Sequence, residues 1–302
     1  MNPNTQYKAG FVTLVGRPNV GKSTLLNKLV GEKIAIISPR PQTTRNIIRG
    51  VVTFEEAQIV FVDTPGLMHI DKAPTPVDRK ILEETIKGLE GVDVVVVIVE
   101  PKIPGPEDEF IFSHLKKIRK PTILALNKID RIKKEEIDNY MGEYEKLFTF
   151  NKSIPISAKK GTNLSILTGE IIGYLPDHPP YYSSDLITDQ PERILVAELI
   201  REKVFQLTRQ EVPYSVLVKV HEFKERSRDL TYISATIYAE HSSQKGILIG
   251  KKGSMIKKIG ELARKEIENR LGCRVYLDLN IGVKKGWRKN IDSLKDIGFE
   301  IR

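Results

Sequence analysis

Through the first half of the chain, short apolar runs alternate with longer stretches in which charged and apolar residues interleave. The runs "FVTLVG" (11–16), "IIRGVVTF" (47–54), "AQIVFVDT" (57–64), "DVVVVIVE" (93–100), "TILALNK" (122–128) and "SIPISA" (153–158) have strand length and polar or turn-forming boundaries. The segment 94–99 is apolar at every position, which suits a strand buried on both faces. The stretches between most of these runs have helix length. Strand–helix alternation predicts a doubly wound α/β sheet, whose ligands sit beyond the C-terminal ends of the strands. Only Glu55 and Glu56 separate the second run from the third. Those two strands are therefore expected as an antiparallel hairpin at one edge.

At 174–185 the sequence reads "YLPDHPPYYSSD", with three prolines within five residues. Such a stretch ends one domain. The pattern then changes. Residues 191–208 carry apolar positions at helical spacing, with Pro191 suited to a first turn. Segments 214–223 and 230–240 alternate like an antiparallel strand pair. Residues 244–250 read as a short helix, 254–272 as a long one ending at Gly272, and 273–283 as a last strand. The chain is thus expected to divide into a domain over 1–178, a linker over 179–188, and a second, smaller α+β domain over 189–302.

Bulk composition is that of an ordinary globular protein: 302 residues, 40% hydrophobic and 29% charged. No apolar run approaches the ~20 residues of a membrane-spanning helix. The single cysteine, Cys273, excludes an internal disulfide framework and a cysteine-based zinc site. The five histidines show no metal-ligand spacing. The N-terminal residues lack a signal-peptide pattern, and no C-terminal lipidation cysteine is present. A cytoplasmic protein is expected. The net charge of +9 is unevenly placed: residues 1–180 hold 25 basic and 22 acidic side chains, residues 181–302 hold 23 and 17. The stretch 245–289 alone holds 13 basic and 4 acidic ones. A local excess of this kind is either a solvated face or a surface for a polyanion.

The chemistry of the first domain starts at "GRPNVGKS", 16–23. Gly16, four residues (Arg17, Pro18, Asn19, Val20), then Gly21-Lys22-Ser23 form a P-loop between an apolar strand and the helix "GKSTLLNKLV" that includes Thr24. Its backbone N–H groups can curl around phosphate oxygens. Lys22 can reach the β- and γ-phosphates, and Ser23 can bind Mg²⁺. Asp63-Thr64-Pro65-Gly66 follows the third strand: Asp63 can hold the Mg²⁺ shell, and the Gly66 N–H can meet the γ-phosphate. Asn127-Lys128-Ile129-Asp130 follows the fifth. Asp130 can accept from N1–H and the 2-amino group of guanine, which adenine lacks. Ser157-Ala158-Lys159 follows the sixth, where backbone can meet the guanine O6. In "RPQTTRN" (40–46), Thr43 or Thr44 can complete the Mg²⁺ site when γ-phosphate is present, and Thr44 is the preferred candidate. Lys22, Thr44, Asp63 and Gly66 are the candidate catalytic residues.

A second glycine loop, Gly250-Lys251-Lys252-Gly253, lies between the two helices of the smaller domain. It resembles the GxxG loop of a KH domain, which clamps about four nucleotides of single-stranded RNA. The order of helix and strands before it resembles the bacterial-type KH arrangement. Ile247, Ile249 and Met255 are candidate walls of the base-binding groove. Lys257, Lys284, Lys285 and Arg288 extend the basic surface, and Trp287 is either a base-stacking residue or one packed against the domain edge.

Taken together, "GRPNVGKS", "QTTR", "DTPGL", "NKID" and "SAK", followed by a KH-like module, resemble Era-type members of the translation-type (TRAFAC) GTPases over the whole chain. The resemblance implies a P-loop GTPase domain and a KH domain, hydrolysis of GTP to GDP, and Mg²⁺ as cofactor. It implies single-stranded ribosomal RNA near the 3′ end of the small-subunit RNA as partner, and a role in small ribosomal subunit assembly. A monomer with weak peripheral contact to the cell membrane is expected. One departure stands out from Ras-like relatives. Where those carry a water-orienting glutamine, this chain has Leu67. Some related GTPases with asparagine at the position of Asn19 use K⁺, so Asn19 is either a K⁺ ligand or a turn residue. Two rival readings remain: a GTP-gated RNA-modifying or RNA-processing enzyme, and a peripheral membrane GTPase. The first lacks a second catalytic constellation, the second a lipid anchor.

Overall fold

The computed structural model describes residues 7–38, 45, 47–67, 71 and 73–293. Two compact units emerge. One comprises Met1–Ala35, Ile47–Pro74 and Ile81–Asp189; the other comprises Ile36–Asn46, Thr75–Lys80 and Gln190–Arg302.

The first unit is built on β1 (Lys8–Val15), β2 (Ile48–Thr53), β3 (Ala57–Asp63), β4 (Val94–Val99), β5 (Thr122–Leu126) and β6 (Lys152–Pro155), in the order β2-β3-β1-β4-β5-β6. Only the β2–β3 pair is antiparallel, and β2 is the edge, as its two-glutamate connection requires. Helices α1 (Lys22–Val30), α2 (Pro76–Gly88), α3 (Pro106–Leu115), α4 (Ile137–Glu145) and α5 (Leu164–Tyr174) follow in chain order, with α2 belonging to this unit only from Ile81 onward. Strand β4 shows why the sheet needs two covered faces. Val94, Val96 and Ile98 pack with Leu25 and Leu26 of α1 and Leu167 of α5. Val95, Val97 and Val99 pack in the opposite layer with Ile111 and Phe112 of α3 and Tyr144 of α4. All six strand residues are at most 3% exposed. Burying each such side chain contributes about 1.5–3 kcal/mol.

The segment expected as a linker is not loose. The Tyr181 and Tyr182 N–H groups donate to Gln58 Oε1, and the Val51 N–H donates to the Ile187 carbonyl at 2.9 Å. Thr188 Oγ1 donates to the Arg49 carbonyl. Residues 179–189 therefore belong to the first unit, pinned along its β2–β3 edge.

The second unit contains α6 (Glu192–Leu207), α7 (Val212–Ser215), β7 (Leu217–Ser227), β8 (Leu230–Ala239), α8 (Ser242–Ile249), α9 (Ser254–Leu271) and β9 (Arg274–Val283). Its sheet runs β7-β8-β9, with β8 antiparallel to β7 and parallel to β9. The expected strand over 214–223 begins late, because Pro213 sits in the short helix α7 before it. Helix α6 carries an unexpected load. Glu198, Arg201, Glu202 and Lys203 are all at least nine-tenths buried. Their charges are offset in pairs: Arg201 with Glu198 at 2.7 Å, Lys203 with Glu202 at 2.9 Å. Uncompensated, a charge buried there costs several kcal/mol.

Candidate nucleotide site and candidate RNA loop

The P-loop is held from three sides. A Cβ on Gly16 would stand 2.3 Å from the Ile98 carbonyl oxygen, and one on Gly21 would stand 2.3 Å from Asn127 Nδ2. Both positions are glycine because neighbouring atoms fill the space. Asn127, 2% exposed, donates through Nδ2 to the Val20 carbonyl and accepts through Oδ1 from the Ala158 N–H. One side chain thus ties the phosphate loop to the loop expected to meet guanine O6. Lys128 and Asn19 both adopt left-handed backbone, and Lys128 Nζ donates to the Asn19 carbonyl at 2.7 Å.

Lys22 Nζ donates to the Gly16 and Arg17 carbonyls at 3.0 and 2.9 Å, within the loop. Burial lowers its pKa to about 8, and nearby Asp63 opposes that shift. Ser23 Oγ donates to Asp63 Oδ2 at 2.8 Å. Burial pushes the Asp63 carboxyl up to about 6, against the pull of Lys22 and Ser23. Its other oxygen, Oδ1, is buried with no hydrogen-bond partner among the described residues. A fully buried carboxylate with one orphaned oxygen, beside a serine hydroxyl, fits Mg²⁺. When bound, the ion would neutralise charge on the β- and γ-phosphates. Thr43 and Thr44 lie outside the described residues. Gly66 faces the P-loop residue Pro18 so closely that a Cβ would stand 2.8 Å from Pro18 N.

At the base end, Ser157 Oγ donates to Asp130 Oδ1 at 2.5 Å and accepts from the Lys160 N–H. The serine bond holds the Asp130 carboxyl below its ordinary value, so it stays an ionised double acceptor. Ser157 and Ala158 are buried, while Lys159 is exposed. Leu67 is 1% exposed and packs in the apolar layer with Val15 and Val97. It offers no group to water.

Two acidic residues that no motif marks join the site. Glu100 Oε2 accepts from Lys128 Nζ at 2.6 Å, and Asp108 Oδ1 lies 3.3 Å from Arg17 Nε. They fix two of the side chains that frame the P-loop. The signal for Glu100 is its place directly after the all-apolar strand, at the end where ligands bind.

In the second unit, Gly250, Lys252 and Gly253 all have positive φ, at 72°, 52° and 79°. Lys251 and Lys252 are exposed at the turn, before the start of α9. Ile247 is 47% exposed, Ile249 and Met255 are half-buried, and Lys257 and Lys285 are exposed. Lys284 is half-buried. Two expected RNA residues are corrected. Trp287 is 1% exposed, its indole N–H donates to the Ser215 carbonyl, and the Arg45 guanidinium lies 5.1 Å over its ring. Both its edge and a face are taken, so it packs rather than stacks on a base. Arg288 is paired with Asp78 at 2.9 Å, which uses its charge inside the protein.

A family profile described as a 50S ribosome-binding GTPase matches residues 11–128, and one described as a KH domain matches residues 211–288. GTPase Era of Halothermothrix orenii is 53% identical over 295 residues, spanning 97% of this chain and 99% of that relative. The chain belongs to the Era family of GTPases. GTPase Era of Caldanaerobacter subterraneus subsp. tengcongensis is 46% identical over 98% of this chain and 99% of its own. An Era crystal structure in complex with MgGDPNP and nucleotides 1506–1542 of 16S ribosomal RNA shares 40% identity and superposes with a TM-score of 0.93, covering 98% of this chain and all of that one. A point variant of Aquifex aeolicus Era bound to GDP and AlF4⁻ gives 39% identity and a TM-score of 0.92, covering 97% and 100%. As an Era-family enzyme, the protein hydrolyses GTP, with Mg²⁺ as its cofactor.

Proposed function

We propose that this chain is a GTP-driven switch. Its KH unit binds single-stranded ribosomal RNA near the 3′ end of the small-subunit RNA, and it assists small-subunit assembly. The observation that carries the reading is the exposed Gly250–Gly253 turn, set in the most basic stretch of the chain. Positive φ at three of its four residues presents the turn for close phosphate approach, with two lysines beside it. The Era structure that contains nucleotides 1506–1542 of 16S RNA supports the choice of RNA.

The test is Lys251→Asp with Lys252→Asp. Both glycines stay, so the turn survives. Affinity for an RNA spanning nucleotides 1506–1542 should fall steeply at low salt. The log–log salt slope should flatten by ~0.7 for each phosphate the protein no longer neutralises. GTP affinity should hold. Wild-type RNA binding by the folded double variant would remove the loop from the RNA site. Preference for a large-subunit RNA over this fragment would redirect the reading to the other subunit.

With Leu67 buried, hydrolysis needs another source of positive charge or water positioning. K⁺ coordinated by the Asn19 side chain is the reading that fits an asparagine at the P-loop tip. Its left-handed φ of 66° is also a property of turn asparagines, so the rate decides. Faster turnover in K⁺ than in Na⁺ is expected, and equal rates would leave Asn19 as a turn residue. In this same reading the protein works in the cytoplasm as a monomer. It touches the membrane only peripherally; among the described residues no helix is long and apolar enough to cross one.

A further inference from the structure

The sheet of the second unit has two unlike faces. Along β8, Thr231, Ile233, Ala235, Ile237 and Ala239 are buried, and α8 and α9 pack on the same sheet from that side. The intervening residues point the other way. There Tyr232 of β8 stands directly opposite Tyr276 of β9, their rings stacked with centroids 5.8 Å apart and planes 23° from parallel. Tyr276 is 63% exposed, a high value for so large an apolar surface. The Arg226 guanidinium lies 5.0 Å from the Tyr232 ring centroid. Lys224 stands opposite Tyr232 on β7, and Arg274 lies two residues before Tyr276, on the same face of β9. Neither Arg226 nor Arg274 makes an ion pair among the described residues.

A cross-strand tyrosine pair modestly stabilises a sheet. That accounts for the two rings touching. It does not account for an aromatic surface left in water with guanidinium groups beside it; Arg226 feels the charge of Glu222 but forms no ion pair with it. Apolar ring faces with planar cations beside them are what unpaired nucleobases stack on, while basic side chains meet the phosphates between them.

We propose that Tyr232, Tyr276 and Arg226 form a second RNA contact, a stacking platform for unpaired bases. It lies on the sheet face that the GxxG-bearing helices leave open. The platform rests on the reading of this protein as an RNA binder and extends it: the protein holds two separate stretches of RNA, one at the Gly250–Gly253 turn and one on the sheet. Two carboxylates share the face: Glu222, engaged by Lys224 at 2.6 Å, and Asp278, which accepts from Asn280.

The experiment uses the full chain and an RNA spanning nucleotides 1506–1542, with Tyr276→Ala, Tyr276→Phe, Arg226→Gln and the Lys251/Lys252 double variant. Tyr276→Ala should weaken binding by about five- to 150-fold, the worth of one stacked base, and leave the salt slope unchanged. Tyr276→Phe keeps the ring and should bind within about twofold of wild type. Arg226→Gln should weaken binding too, with a shallower slope. Ultraviolet crosslinking should map RNA to the peptide holding Tyr276 or Tyr232. Should Tyr276→Ala lower thermal stability, the Arg226→Gln variant and the crosslink decide instead. Wild-type affinity for Tyr276→Ala with no crosslink on β8 or β9, while the lysine variant loses RNA, overturns the platform alone. Equal loss for Tyr276→Phe and Tyr276→Ala also overturns it, because stacking needs no hydroxyl. Unchanged RNA binding in every variant overturns the RNA reading itself.

Discussion

The two glycine loops look alike on paper and are built in opposite ways. Around Gly16–Ser23 the surrounding fold dictates the loop. Backbone or side-chain atoms occupy the space where Cβ atoms of Gly16, Gly21 and Gly66 would be, and Asn127, Lys128, Glu100 and Asp108 reach in from other elements to tie it. Around Gly250–Gly253 only the turn and the residues that directly follow it in the chain act. Gly250 crowds Met255 at the start of the helix that follows, and Gly253 has no heavy atom within 4 Å of its missing Cβ. The difference suits the ligands. A nucleotide buried among strand ends needs a rigid cradle whose donors are already aimed, so that little freedom is lost on binding. An RNA backbone on a surface needs close approach and charge, and its affinity comes from many weak phosphate interactions.

Substituting Gly16 by alanine attacks the comparison most severely. With the Ile98 carbonyl oxygen 2.3 Å away, the strand end or the loop must move. The first unit should lose about 2–4 kcal/mol and GTP binding should fail. Thermal unfolding alongside GTP titration checks both, and a stable, GTP-binding Gly16→Ala would mean the cradle is not locked.

Asp130→Asn tests the base end with no change of size. The amide offers an N–H where guanine also offers one, so GTP affinity should fall about a hundredfold or more while xanthosine triphosphate binding improves. Retained guanine preference would mean that Asp130 does not read the base. Ser157 Oγ should keep its bond to either side chain, so stability should barely move.

Gly253→Ala is the mild counterpart to Gly16→Ala. Nothing blocks its Cβ, and only the left-handed φ of 79° resists. A loss of about 1 kcal/mol in the second unit is expected, with GTP binding untouched. A cost as large as that of Gly16→Ala would show that the second loop is also held by its neighbours.

Much of the nucleotide site is legible in the sequence because each motif there carries its own local geometry. The P-loop needs a strand before it and a helix after it, and both are visible as periodicity around 11–30. Asp63, Asn127, Asp130 and Ser157 fall at strand ends because apolar runs end just before them. Glu100 also follows an apolar run and Asp108 lies in a first helical turn, but acidic residues are common at both places and only the partner gives each its role. Trp287 is ambiguous in the sequence because it sits within a basic run, while the Ser215 carbonyl it meets lies 72 residues earlier.

The sequence by itself determined the strands and helices, the domain order, the phosphate loop, the place of Asp130 just beyond a strand end and the glycine turn of the second unit. Each of these depends on residues within a few positions of one another, and short-range sterics decide them. Tertiary structure alone decided which face of β8 meets water, that β9 runs parallel to it, that α6 buries four charges in pairs, and that Trp287 and Arg288 turn inward. Burial and pairing of long side chains are set by groups far away in the chain, and no local pattern encodes which distant group will arrive.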